Sequence, residues 1–133
     1  MRRVAHIVHP LGPDRSADIA GAQPVTFETM RRAREASAGT VQVDLLTAQF
    51  SEDRGQVPPD FTATLDLSLS SQDVGDFDVT LRLARIADIL ERGFAGSDAD
   101  YLIFSGIDIA LQPYFYTALE RIIASGVDSC IIN

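Results

Sequence analysis

The chain contains three apolar runs, which predict buried strands. Residues 4–8 form a short β-branched run, residues 40–48 a second run, and residues 98–110 a third that delivers Asp108 to its end. Continuous apolar runs of this length are typical of parallel strands that are covered on both faces. We therefore expect a parallel sheet, with Asp108 close to a strand end.

Between these runs, apolar residues recur at helical spacing. One helix is predicted from Pro24 to a stop at Gly39, and another follows Pro113 and stops at Gly126. The clearest amphipathic pattern covers residues 81–94, where the apolar stripe consists of Leu83, Ile86, Ala87, Leu90 and Phe94. We expect that stripe to face the sheet.

Two further segments predict strands at the margins of the sheet. Residues 61–70 alternate, with Leu65, Leu67 and Leu69 on one face, as a half-exposed edge strand should. Residues 127–132 are mostly apolar and predict a final strand. A strand there needs cover, so we expect further sequence, a second copy of the chain or another partner to supply it. Residues 51–60 and 71–78 are polar and predict loops.

The order of strands and helices alternates as in a doubly wound sheet. It predicts an α/β fold, a three-layer α/β/α sandwich with a mostly parallel, Rossmann-like sheet. A length of 133 residues suits one domain that spans residues 1–133.

Composition narrows the classes of function. A formal charge of −8 argues against nucleic acid and anionic membranes as partners. No apolar run approaches the roughly 20 residues that span a bilayer, and no secretory signal is present, so we expect a cytoplasmic protein. All eleven basic residues are Arg, which excludes a Schiff-base lysine and a P-loop lysine. The single Cys130 lies in an apolar run, so we expect a buried, inert thiol.

The residues themselves offer a few candidates for chemistry. Asp108 at a strand end is a ligand for a hard divalent cation, and Gly106 lets a phosphate or sugar approach the backbone. Asp108 could also be a solvated loop residue or a helix cap, so those two interpretations stay open. His6 and His9 should lie on opposite faces of the first strand, with His6 in the core and His9 available as a ligand or base. We expect no histidine close to Ser105, and hence no hydrolase triad.

Residues 99–108, Ala-Asp-Tyr-Leu-Ile-Phe-Ser-Gly-Ile-Asp, follow the amphipathic helix and carry a resemblance to a known family. This stretch resembles the segment that leads into the Asp-X-Asp motif of A-type glycosyltransferases, which use nucleotide-diphosphate sugars. The resemblance continues at the front of the chain, where a strand ends in His9-Pro10-Leu11. It implies the nucleotide-binding half of that fold.

The resemblance implies a role for five residues. Asp108 matches the last Asp of the motif and would hold a divalent cation, Mn²⁺ or Mg²⁺, that bridges the donor diphosphate. Gly106 stands where the first Asp belongs, so this chain supplies one carboxylate where the family has two. His9, Pro10 and Leu11 match the loop that contacts the nucleotide.

Two functions follow as alternatives. The resemblance implies the donor-binding half of a glycosyltransferase, the N-terminal part of a longer enzyme, with a nucleotide sugar as its partner and with transfer completed by further sequence. The other is a non-catalytic regulatory or assembly domain, in which Asp108 caps a helix and the final strand pairs with a partner.

Overall fold

The computed structural model describes residues 1–76 and 82–132. Four parallel strands form one sheet in the order β3-β2-β1-β4. The strands are β1 Arg3–Val8, β2 Gln42–Thr47, β3 Thr62–Ala63 and β4 Tyr101–Phe104. The helices are α1 Ala17–Ala36, the short α2 Ser71–Val74, α3 Ile86–Ala95 and α4 Phe115–Ala124, and a 3₁₀ helix covers Ser51–Gln56. The predicted α/β class with a Rossmann-like parallel sheet is confirmed.

Helices cover both faces of the sheet, as strand alternation requires. Val4, Val8 and alternate residues of β2 pack against α1 and α4, which contribute Phe27, Met30 and Leu119 among others. Ala5, Ile7 and Leu46 face the other way and pack against Ile89 of α3. Each face therefore has its own apolar cluster, with the sheet as the middle layer.

Helix α1 begins earlier than the sequence pattern predicts. It starts at Ala17, and the side chain of Ser16 accepts a hydrogen bond from the Ile19 N–H, so Ser16 is the N-cap. Pro24 lies inside the helix, and the prediction that the helix begins at Pro24 was wrong. Helix α1 ends at Ala36, three residues before Gly39 (φ +86°), and α4 ends at Ala124, two residues before Gly126 (φ +94°). Both glycines follow the helix ends, close to the predicted stops, and adopt the left-handed conformation that glycine takes readily.

The predicted edge strand over residues 61–70 is mostly absent. Only Thr62–Ala63 pairs with β2. Beyond that pair, Leu67 is buried whereas Leu65 is 75% exposed, so the expected common apolar face does not form. The physical reason is Gln49. Its side-chain amide donates a hydrogen bond to the Thr64 carbonyl (2.8 Å), and its main-chain carbonyl accepts one from the Leu67 N–H (2.7 Å). These bonds hold the segment against the chain that follows β2, in place of a continued strand ladder.

Helix α3 faces the sheet with a neighbouring side of the helix and not with the predicted stripe. Its buried residues are Ile89 and Gly93, whereas Ile86, Leu90 and Phe94 of the predicted stripe are exposed. A side chain at position 93 would lie 2.6 Å from Cδ1 of Leu102, so glycine there lets the helix approach β4 closely. Leu81, the first residue of the predicted helix, lies outside the described residues.

The predicted final strand does not form. Residues 127–132 pair with no strand, and Ile131 is 89% exposed. The connection that leads into β4 contains α3, which packs on one face of the sheet. Helix α4, which follows β4, packs on the other face, together with α1. A parallel strand added beyond β4 would therefore need a left-handed crossover, which is rare. The expectation of a buried Cys130 was also wrong, because this thiol is exposed.

Among the helices of the described residues, none combines the length and the apolar character that crossing a membrane requires.

Candidate functional site

The carboxyl ends of β1 and β4 lie side by side. The two strands pair in parallel, with Ile7 opposite Phe104, so the loops that follow them leave the same edge of the sheet. The chain leaves β1 across the α1 face toward β2, and it enters β4 from the α3 face. This is a topological switch point, where open α/β sheets bind their ligands.

The loop after β1 is held in place by a buried glutamine. The Gln23 side chain accepts a hydrogen bond from the Leu11 N–H (2.7 Å) and donates one to the Leu11 carbonyl (2.9 Å). Pro10 is one of the predicted nucleotide-binding residues, but its side chain is fully buried. It therefore packs beneath the loop. The main chain of Leu11 is already used, which leaves its half-buried side chain to face a ligand.

A buried carboxylate fixes the next turn of the same loop. Asp53, 2% exposed, accepts hydrogen bonds from the Gly12 N–H (2.8 Å) and from Nη1 of Arg15 (2.6 Å). Arg15 also donates to the Arg82 carbonyl. The polar composition of residues 51–60 predicts only a loop, so nothing in the sequence pattern singled out Asp53 or Gln23 as residues that hold this site.

His9 presents an unused nitrogen at the end of β1. Its Nδ1–H donates to the Ala48 carbonyl (2.8 Å), and the ring packs edge-on against Phe50. Burial lowers the pKa of His9, opposed by the bond to Ala48, so the ring is neutral at pH 7 and Nε2 carries a lone pair. Nε2 is buried and has no hydrogen-bond partner among the described residues. His9 therefore holds an unused acceptor that is covered in this structure, so a ligand would have to displace neighbouring atoms to reach it.

Two arginines lie over the ring of Phe50 beside His9. The guanidinium carbon of Arg15 is 5.0 Å from the ring centroid and that of Arg82 is 4.0 Å away. Arg82 also donates to Oε1 of Glu52 (2.6 Å). This ion pair neutralises Arg82 and leaves it a weak candidate for phosphate, although it is 36% exposed.

The loop after β4 carries the other candidates. The Ile109 N–H donates to the Gly106 carbonyl, which closes a tight turn. A side-chain carbon at position 106 would lie 2.9 Å from Oδ1 of Asp108, so the carboxylate folds back over the glycine. The loop is fastened to α1 by the hydrogen bond from the Leu111 N–H to Thr29 Oγ1 (3.0 Å).

Asp108 is exposed and has no hydrogen bond or ion pair within residues 1–76 and 82–132. It does not cap α4, because that helix begins at Phe115 with Tyr114 at its N-cap position. The helix-cap interpretation was therefore wrong. The carboxylate is available for a ligand.

One carboxylate at this edge suits a cation that arrives with a diphosphate. In the part of the chain that the structure describes, no three His, Cys, Asp or Glu side chains are placed to hold a metal ion together. Mg²⁺ is commonly held by one or two carboxylates together with substrate phosphates. Asp108 fits that mode.

A buried histidine lies next to Ser105, which we did not expect. His6 is fully buried on β1, and its Nε2 is 2.7 Å from Ser105 Oγ at the end of β4. Its Nδ1 is 2.8 Å from the hydroxyl of Tyr116 on α4. Burial lowers the pKa of His6 to about 3 and raises that of Tyr116, so both side chains are neutral at pH 7. The expected placement of His6 in the core and of His9 on the opposite side of the sheet is confirmed.

A surface groove of about 290 Å³ lies between α1 and the 3₁₀ helix and includes Gln23 and Phe27 in its lining. Neither His9 nor Asp108 lines it. We place the candidate site at the switch point because the unused groups of His9 and Asp108 lie in the loops there.

Comparisons of the chain with protein-family models, with curated proteins and with solved structures give no match.

Proposed function

We propose that the chain binds a nucleoside diphosphate sugar between the loops after β1 and β4, as the donor-binding half of a glycosyltransferase-like protein. The observation that carries the proposal is the pair of unused groups at this switch point. His9 offers a buried lone pair on one loop, and Asp108 offers a free carboxylate on the other.

The two groups suit different parts of such a donor. His9 Nε2 would accept a hydrogen bond from a ribose hydroxyl or from an N–H of the base. Leu11 would pack against the nucleoside. Asp108, whose carboxylate folds back over Gly106, would lie at the diphosphate.

A divalent cation, Mn²⁺ or Mg²⁺, would be held by Asp108 and would neutralise the charge of the diphosphate. The chain itself supplies a rigid frame, because Gln23 and Asp53 fix the β1 loop before any ligand binds. Such preorganisation lowers the entropic cost of binding. The proposal covers the donor-binding step alone.

Calorimetric titration tests this proposal. UDP and GDP are titrated into the wild-type chain with and without Mn²⁺, and the same titrations are made with Asp108→Ala. The control is Asp98→Ala, which removes the same charge from the amino-terminal end of β4, at the opposite edge of the sheet. We expect binding that needs Mn²⁺ and is lost with Asp108→Ala alone.

The absence of binding for both diphosphates would overturn the proposal. If the diphosphates bind equally well without Mn²⁺ and to Asp108→Ala, the chain has a nucleotide site, but Asp108 has no role in it.

A second candidate function is assembly, and the exposed face of α3 favours it. Ile86, Leu90 and Phe94 are spaced by one helical turn and are 59%, 37% and 83% exposed. Contiguous exposed apolar side chains are typical of protein interaction surfaces. We call these three residues the α3 stripe.

Analytical ultracentrifugation over a range of concentrations tests the assembly function. If the α3 stripe joins two copies, the mass of the wild-type chain rises with concentration, and the double variant Leu90→Glu, Phe94→Glu stays monomeric. Val25→Glu is the control, because Val25 is equally exposed on α1 (59%). A wild-type chain that remains monomeric throughout would argue against self-assembly through this stripe.

A further inference from the structure

Ser105 is joined to the interior by a chain of hydrogen bonds that runs from α4 through β1 to the end of β4. Tyr116 OH, His6 and Ser105 Oγ are linked by contacts of 2.8 Å and 2.7 Å. Tyr116 is 1% exposed and His6 is fully buried, whereas Ser105 is half-buried. Only the Ser105 end of this chain reaches the surface.

The direction of these hydrogen bonds follows from the tyrosine. Its hydroxyl proton has no acceptor other than His6 among the residues that the structure describes. If His6 Nδ1 carried the proton and donated to Tyr116, the buried phenol proton would be left without a partner, which costs about 1–3 kcal/mol. The phenol therefore donates to Nδ1.

The tautomer of His6 is then fixed. A neutral imidazole whose Nδ1 accepts must carry its proton on Nε2. Nε2–H therefore donates to Ser105 Oγ, and His6 cannot act as a base toward this serine. The hydroxyl proton of Ser105 has no acceptor within the described residues and is free to point outward.

We infer that Ser105 is a ligand-binding hydroxyl, which the Tyr116–His6 pair holds as a donor toward an acceptor oxygen of the ligand. Ser105 directly precedes Gly106 in the loop after β4, where the proposed function places the diphosphate of the donor. A phosphate oxygen is therefore the acceptor that this hydroxyl would meet. This inference rests on the proposed function.

The hydrogen-bond direction can be tested without any ligand. Long-range ¹H–¹⁵N spectra of the histidine rings distinguish a protonated ring nitrogen from an unprotonated one. We expect Nε2–H for His6 and Nδ1–H for His9, whose proton goes to the Ala48 carbonyl. A proton on Nδ1 of His6 would overturn the inference.

The ligand role is tested by titrating UDP with Mn²⁺ into Ser105→Ala and Tyr116→Phe. We expect the affinity to fall about tenfold or more for Ser105→Ala, as for a hydrogen bond to a charged group. Tyr116→Phe should produce a smaller loss and a mixture of His6 tautomers. The controls are Ser125→Ala, whose hydroxyl bonds to Ile122 O on α4, and Tyr101→Phe at the start of β4.

The outcomes separate the inference from the function on which it rests. If the wild-type chain binds UDP and Ser105→Ala binds it equally well, the ligand role of Ser105 is wrong and the proposed function stands. If the wild-type chain binds neither UDP nor GDP, the proposed function fails together with the ligand role.

Discussion

The side chain of Gln23 forms both hydrogen bonds of the Leu11 main chain, with N···O distances of 2.7 Å and 2.9 Å. A side-chain amide thus takes the place that a neighbouring strand would occupy. It ties the loop after β1 to the first turns of α1, and through that loop it positions His9.

Replacing Gln23 with alanine should lower the free energy of unfolding by about 1–3 kcal/mol, because it leaves two backbone groups without their partner. Chemical denaturation measures the change. The control is Gln42→Ala, an exposed position on β2, which should change stability by less than about 0.5 kcal/mol. Equal effects of the two substitutions would contradict the role given to Gln23.

Stability should fall as the pH falls below about 6.5. His6 stays neutral in the folded chain down to a pKa of about 3, whereas in the unfolded chain it binds a proton near its ordinary value of 6.5. The unfolded state therefore binds more protons across this window. The expected slope from His6 alone is about 1.4 kcal/mol per pH unit.

The pKa of His9 is lowered as well, so His9 acts in the same direction. Denaturation at pH 7.5, 6.0 and 5.0 measures the effect. Hydrogen bonds from Arg31 and Gln49 lower the pKa values of Asp60 and Asp66, so these carboxylates begin to protonate only below this pH range. His9→Gln should reduce the slope and leave the part due to His6. A free energy of unfolding that stays constant from pH 6.0 to 5.0 would contradict the burial of a neutral His6.

A second carboxylate beside Asp108 should strengthen binding of a divalent cation. Gly106→Asp places one there once the Asp108 carboxylate turns away from the new Cβ. We then expect the affinity for Mn²⁺ to rise on the order of tenfold, because the second carboxylate adds a ligand and a negative charge to the site. Paramagnetic resonance of free Mn²⁺ measures this with the metal alone. The control Gly106→Asn adds the same bulk without the charge. If both variants bind Mn²⁺ as the wild-type chain does, Asp108 is not poised for a metal.

Two apolar residues of α3 should respond very differently to truncation. Ile89 is 2% exposed and packs against the sheet, so Ile89→Ala should cost about 2–5 kcal/mol. Phe94 is 83% exposed, so Phe94→Ala should change stability by less than about 0.5 kcal/mol. Thermal and chemical denaturation compare the two. A cost for Phe94→Ala as large as that for Ile89→Ala would mean that the α3 stripe is covered in solution.

Strands β1, β2 and β4 could be predicted from the sequence, because burial on both faces favours continuous apolar runs, whereas most of the strand predicted over residues 61–70 and all of that predicted over residues 127–132 do not form in the described part of the chain. The runs that became β1, β2 and β4 are apolar throughout, and their parallel pairing follows from the helices between them. The stripe of α3 was assigned to the wrong face. A helical pattern shows that two faces differ, but here a glycine at position 93, which carries no hydrophobic signal, decides which face approaches the sheet.

The candidate site was predicted only in part. The placement of Asp108 and His9 in the loops after two strands follows from strand ends, which the pattern locates. The hydrogen-bonded pairs in this region join residues that are distant in sequence. Examples are Asp53 with Gly12 and Ser105 with His6. Such pairs form only when the sheet brings β1 beside its neighbours, and no local pattern encodes them.

The exposed thiol of Cys130 is the chain's only cysteine, and the sequence contains no lysine. Maleimide dyes would therefore attach at one position, in the segment after α4, while amine-reactive dyes would reach only the α-amino group beside β1. The native sequence thus accepts two different fluorophores at defined points without any substitution. Energy transfer between them would report in solution how far residues 127–132 lie from β1.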